Sequence, residues 1–436
     1  MRPSLSPPRA RLALLGVLSA ATLAVGALPD AGLTAPSPPT IDRPTVVKKP
    51  VRRPDTCQAI TPAVRQQLRA RGVKHTLCVR PGPPTSVPAP RPPRAEAPDP
   101  SIDLNADDAD LRIAQVAVPS PLCQTGFTVF TRFSSCTQDT AGVIAINVIS
   151  GLITGEIDIQ YAFWNTLANN VRSWDENLQI TVTGASGILA GNTSLGAPLQ
   201  CMSSTPGDCF TRSLIGQIEI SPVLMDPAGA TFDGAAAMES TDPGIDFQTI
   251  GLTLFWTTTN PDVTPNSLVD QVQAAVNQRC DNTLANFTVG GCVYPDFSFN
   301  LYVLSLSDPS VQGVAQHILD AQFGTPTTPP LPDQFGVLGA NNPLTRDTNP
   351  ADTLANRNAS CADFVPDPTP PGQPSDSCDE YPFASTYQGA AFVGPGRFSV
   401  AHVPVDQNSR AGSLLGGFYS INRIIDGDPF YAFITI

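Results

Sequence analysis

Apolar and polar residues alternate with a period of two through much of the middle of this chain. Leu178-Gln179-Ile180-Thr181-Val182-Thr183, Ile215-Gly216-Gln217-Ile218-Glu219-Ile220, Ile250-Gly251-Leu252-Thr253-Leu254-Phe255-Trp256 and Phe297-Ser298-Phe299-Asn300-Leu301-Tyr302-Val303 are rich in β-branched and aromatic residues. Gly, Asn, Asp and Pro breaks separate them, which is the pattern of strands with one buried face. Several such strands predict antiparallel sheets stacked as a sandwich around one core. They place a β-rich domain at residues 111–325.

Elsewhere the period changes to that of a helix. Thr61 as N-cap, Pro62 at the first helical position and Gly72 as a stop enclose a short helix over residues 64–71. Val269, Val272 and Val276 predict a lone helix over residues 267–278, and residues 311–323, which carry His317, predict another. After a Pro-rich joint at 326–332, Phe398, Val400, His402 and Pro404 alternate with Ser399, Ala401 and Val403, so 397–405 predicts a strand. Leu414, Leu415, Phe418, Ile421 and Ile424 predict a helix over 413–424, and 430–436 a closing strand. The fold class expected is therefore mostly β, or α+β, with a small mixed module at residues 326–436.

The ends and the cysteines change the picture. Arg2, Arg9 and Arg11 precede an apolar run from Leu12 to Leu28 with Ala24, Gly26 and Ala27 near its end, the layout of a secretory signal peptide over residues 1–27. The protein is expected to be secreted, with no membrane partner once the leader is removed. Residues 28–110 hold runs such as Pro90-Arg91-Pro92-Pro93-Arg94 and read as a Pro-rich linker interrupted by the short helix. Arg65, Arg69, Arg71 and Lys74 make that helix a basic patch, read either as a solvated face or as a contact for nucleic acid or an anionic cell envelope. Ten cysteines fit an oxidising compartment. Neighbour pairing is expected: Cys57 with Cys78, Cys123 with Cys136, Cys201 with Cys209, Cys280 with Cys292, and Cys361 with Cys378. No CxxC occurs and only three histidines exist, so a Cys/His zinc site is not expected.

A net charge of −13 argues against holding DNA by charge alone. The candidate chemistry sits in the last sixty residues. Cys378-Asp379-Glu380-Tyr381-Pro382-Phe383-Ala384-Ser385-Thr386 puts two adjacent carboxylates in a Pro-broken turn. Asp406-Gln407-Asn408-Ser409-Arg410-Ala411-Gly412 follows as a polar loop, then Asp426-Gly427-Asp428-Pro429-Phe430-Tyr431. Acids, amides and Arg in this order suit a divalent cation acting on a phosphodiester. His317 reads as a surface or packing histidine, since no second ligand lies at helical spacing from it. His402 is an alternative base.

These three segments resemble the NucA/NucB family of secreted deoxyribonucleases. Upstream, Pro343-Leu344-Thr345-Arg346, Ala355-Asn356-Arg357-Asn358-Ala359-Ser360-Cys361 and Arg279-Cys280-Asp281-Asn282 resemble segments of the family's larger members. The resemblance implies a small ββα-metal-type nuclease domain, a divalent ion such as Mg or Mn, and DNA as substrate, with RNA left open. It implies Asp379 as general base with Glu380 as its partner, Asn408 as a metal or phosphate contact, and Arg410 on a phosphate. The positions it gives the metal are Asp379, Gln388, Gln407 and Asn408. At Gln388 and Gln407 the family pattern has acids, with Asp406 a substitute for the second. A secreted, metal-dependent, non-specific DNA endonuclease is the first expectation. A catalytically impaired nuclease-like protein that binds nucleic acid or the cell envelope is the alternative.

Overall fold

Two antiparallel eight-stranded sheets hold most of the strands among the described residues. The computed structural model describes residues 46–436 apart from 53–54, 82–122, 204–207, 214–217, 226–228, 242–243, 284–289, 298 and 368–374. The expected leader and most of the expected linker lie outside the described residues. No helix among the described residues is long and apolar enough to cross a membrane.

The first sheet is built on three long strands, Ser134–Asn147, Ile153–Thr166 and Ser173–Gly187, joined in antiparallel register. The second centres on Asp246–Thr258, which pairs with Thr193–Ala197, Leu199–Ser203, Ser267–Gln273 and Gln278–Asp281. Alternation along these strands sends Ile157, Ile159, Tyr161 and Ile180 of one sheet and Ile250, Leu252, Leu254 and Trp256 of the other into a single core. Their burial supplies the main stabilisation of this part of the chain.

Two sequence expectations fail here. Residues 267–278 are not a helix: Ser267–Gln273 is a strand paired with Gly251 to Thr257. The valine spacing mimicked a helical stripe, but only Val272 and Val276 are buried while Val269 stays exposed. A seven-residue ladder to a central strand overrides so weak a local preference. Residues 46–81 are likewise more than a tether. The helix Pro62–Ala70 forms, capped by Thr61, but strand His75–Pro81 joins the first sheet beside Ser134–Asn147 and buries Leu77, Cys78 and Val79.

A second core gathers Tyr302, Leu304, Val314, Ile318, Leu344, Tyr381, Val403, Leu415 and Phe430. It starts upstream of residue 326, because strand Leu301–Ser305 pairs in parallel with Pro429–Thr435 and helix Gln312–Phe323 packs on them. Strand Asp376–Tyr381 pairs antiparallel with Ser399–Pro404, and helix Val405–Ile421 follows at once. This helix begins eight residues before the expected position. Its buried stripe is Ala411, Leu415 and Tyr419, so the first two turns carry no apolar signal and read as a polar loop.

The two cores meet across a buried ionic cluster. Asp428 accepts from Arg132 Nη2 at 2.9 Å and Arg279 Nη1 at 2.6 Å, while Arg423, at positive φ, pairs with Asp281. Burial first of all holds the Arg132 guanidinium down at about 10, against the pull of Asp428. Remaining guanidinium donors reach the carbonyls of Asn169, Tyr294, Asn422 and Arg423. Removing one member strands the others without water. Asp428→Asn is therefore expected to cost about 3–5 kcal/mol of stability, read as a lowered urea midpoint at unchanged slope.

Candidate active site

The Cys361–Cys378 disulfide ties the end of helix Pro350–Cys361 to strand Asp376–Tyr381. The four other expected pairs form as well. A bridge at this separation contributes about 3 kcal/mol by the chain-entropy model, and its second cysteine abuts Asp379. The two acids thus lie on a strand rather than in the expected turn.

A groove of about 920 Å³ opens between that strand, helix Pro350–Cys361 and the first half of helix Val405–Ile421. A smaller cavity of about 100 Å³ is bounded by Asp379, Ser385 and Tyr302 among others. Arg357, Glu380 and Asn408 border both spaces, so the two adjoin.

Asp379 is buried, and its Oδ2 lies 2.6 Å from His317 Nδ1. His317 Nε2 lies 2.9 Å from Ser399 Oγ. An ionised Asp379 can only accept, so Nδ1 carries the proton, and in a neutral ring Nε2 accepts from the Ser399 hydroxyl. Beside it, burial first and the charge of Asp379 second push the Glu380 carboxyl up to about 7, against the pull of Arg357. Arg357 Nε stands 4.0 Å from Glu380 Oε1 with most of its side chain in solvent. Asn408 donates to Cys378 O at 2.8 Å and to Ser377 Oγ at 3.2 Å, and its side-chain oxygen has no protein partner among the described residues.

Other residues of the motifs shape these walls. Buried Asn356 donates to Ala384 O and accepts from Ala391 N–H, while a Cβ at Gly389 would collide with its amide. The Asn356 of the Ala355–Cys361 segment therefore organises the loop after the acidic strand, and Arg357 turns to the groove. Asp426 accepts from Thr348 N–H and Tyr387 OH. Together with Asp428 in the interface cluster, the terminal acids line neither space.

Of the expected site residues, Asp379, Glu380 and Asn408 come together and the rest do not. Gln388 spends both ends of its amide on Thr345, accepting from its N–H at 2.8 Å and donating to its Oγ1 at 3.2 Å. Gln407 Oε1 accepts from Gly313 N–H at 2.6 Å, capping helix Gln312–Phe323. Arg410 is exposed on helix Val405–Ile421 outside the lining of both spaces. His402 stands half in solvent, ion-paired to Asp376 and against the ring of Phe364. Its hydrogen bond with Asp376 raises its pKa.

Sequence reasoning passed over two residues of the site. Arg357 was visible only within a motif. His317 was visible as a histidine on the apolar face that also buries Val314, Ile318 and Ala321, a position where the ring needs polar partners. Its partners lie 62 and 82 residues away, beyond any local spacing rule.

The donor set can be tested against a metal ion. Two carboxylates and an amide oxygen are hard donors of the kind that magnesium and manganese take. Glu380 and Asp379 crowd negative charge into a mostly buried space whose nearby cation, Arg357, is solvent-exposed. A dication there would relieve that repulsion, so the residues fit. The sulfurs of Cys361 and Cys378, which lie near Glu380, are joined to each other and offer no thiolate.

Residues 336–433 match the family model of deoxyribonuclease NucA/NucB, and this C-terminal region is a domain of that family. No curated protein and no solved structure matches the chain. Tyr302 and His317 both precede the matched segment.

Proposed function

We propose that the protein is a secreted endonuclease that hydrolyses DNA phosphodiesters with a divalent metal ion, where the groove bordered by Glu380 adjoins the cavity lined by Asp379. The observation that carries this reading is the carboxylate pair, with buried Asp379 held by His317 and half-buried Glu380 bordering both groove and cavity. Asp379, Glu380 and the Asn408 oxygen would hold the ion. When bound, it supplies positive charge for the phosphate and for the leaving oxygen.

The protein groups do the rest. His317 fixes Oδ2 of Asp379, leaving the carboxylate oriented to take a proton from water as general base. Glu380 supplies a second acidic oxygen donor beside Asp379. Arg357 offers a planar fork to a phosphate in the groove. Ser399 restrains the His317 ring from its far side. The antiparallel pair Asp376–Tyr381 and Ser399–Pro404, followed by helix Val405–Ile421, supports a ββα reading of this module.

The reading is tested in a DNA-containing gel. The full-length protein is expected to clear DNA with Mg²⁺ or Mn²⁺, to stop with EDTA, and to recover when the metal is returned. Clearing that EDTA leaves intact removes the metal from the account.

The amides at Gln388 and Gln407 favour a second reading, an impaired binder. Their bonds to Thr345 and Gly313 argue that they are structural. Gln388→Glu and Gln407→Glu are accordingly expected to change turnover by less than about threefold, with Gln407→Glu adding a few tenths of a kcal/mol at a helix N-terminus. A gain of two orders of magnitude would instead mark a decayed site.

A further inference from the structure

Three arginines on the stapled helix Pro62–Ala70 and its C-cap have no part in the groove. Arg65, Arg69 and Arg71 form no ion pair among the described residues, whereas Lys74 is neutralised by Asp262 at 2.6 Å. In a chain of net charge −13 such a cluster stands out. It lies against the tip of the hairpin formed by Ser134–Asn147 and Ile153–Thr166. Val148 N–H donates to Lys74 O at 3.0 Å, and the Arg65 guanidinium sits so close over Gly151 that a Cβ there would collide with it.

That tip is apolar and stands in solvent. Ile149, Leu152 and Ile153 are 65%, 68% and 52% exposed, although Val148 beside them is 3% exposed. The turn is also stiff. Asn147 Oδ1 accepts from the N–H groups of Ile149 and Ser150 at 2.9 and 3.0 Å, Gly151 N–H donates to Asn147 O at 2.8 Å, and Gly151 sits at φ 76°. The turn and the first residue of the second strand thus present the aliphatic trio to solvent, leaving apolar surface in water beside the arginines.

We propose that this end of the molecule docks on an anionic lipid membrane. Ile149, Leu152 and Ile153 enter the acyl boundary, and Arg65, Arg69 and Arg71 meet the headgroup phosphates. The aliphatic tip decides between partners: a surface for single-stranded nucleic acid presents aromatic platforms for its bases, and Ile149 to Ile153 include no aromatic residue. This inference stands apart from the nuclease reading, since none of these residues borders the groove.

The test uses the full chain carrying Leu152→Trp, mixed with phosphatidylcholine vesicles that contain phosphatidylglycerol and brominated lipid. The three native tryptophans, Trp164, Trp174 and Trp256, are buried at 5%, 6% and 0% exposure, so bromine quenching reports the tip alone. The expected result is a blue-shifted, quenched emission that wild type lacks and that raised salt weakens. Adding Arg65→Gln, Arg69→Gln and Arg71→Gln should weaken vesicle binding on the order of a hundredfold. Emission indifferent to anionic vesicles, or quenching untouched by the arginine changes, overturns the proposal. A shift produced by short duplex DNA instead of vesicles overturns it in favour of a nucleic-acid contact. Should Leu152→Trp fail to fold, Ile153→Trp serves as the reporter with the same outcomes.

Discussion

Asp379→Asn is expected to lower the rate of DNA hydrolysis by roughly 10²–10⁴-fold, the range for loss of a general base. The change is nearly isosteric, and the amide oxygen can still accept from His317 Nδ1, so the site keeps its shape. What is lost is one negative charge and its basicity. Because the charge of Asp379 helps to raise the Glu380 carboxyl to about 7, that carboxyl should fall toward the ordinary range in the variant. Thermal unfolding should accordingly hold or rise, since a like-charge contact in a buried space has gone. Plasmid nicking and a melting curve on the same sample check both halves. A collapsed melting temperature would mean that the carboxylate is structural.

His317→Ala is expected to cut kcat by about 10–100-fold with little change in KM, the scale of losing a group that orients a site ligand. The alanine leaves Asp379 Oδ2 without its 2.6 Å donor and Ser399 without its acceptor. His317→Asn restores an N–H near the position of Nδ1 and should recover most of the rate. A residue that merely fills space would behave otherwise, because asparagine is smaller and more polar than the ring it replaces. Equal damage from both variants, carried in KM, would deny His317 a positioning role. Because His317 precedes the family match at 336–433, recovery by asparagine would also show that a fragment trimmed to that segment is an incomplete enzyme.

How far the sequence could be read follows from the range of each interaction. Strand Ser399–Pro404 and helix Pro62–Ala70 rest on alternation or on a capping Thr and Pro, which are local, and they were legible. So were the five disulfides, whose partners lie 8–21 residues apart. The 267–278 segment was not, because its valine spacing suits both periods and a distant strand decides between them. The start of helix Val405–Ile421 was hidden because its first turns face a polar groove and lack the apolar stripe that betrays a helix. The placements of Gln388 and Gln407 on Thr345 and Gly313 N–H come from tertiary packing. No motif spacing carries that information.

A single plasmid gel gives the most direct comparison: wild type with Mg²⁺, wild type with EDTA, and Asp379→Asn with Mg²⁺. Nicked and linear products in the first lane alone are the expected result. Cutting in all three lanes, or intact supercoiled DNA in the first, would contradict a metal-dependent nuclease centred on Asp379.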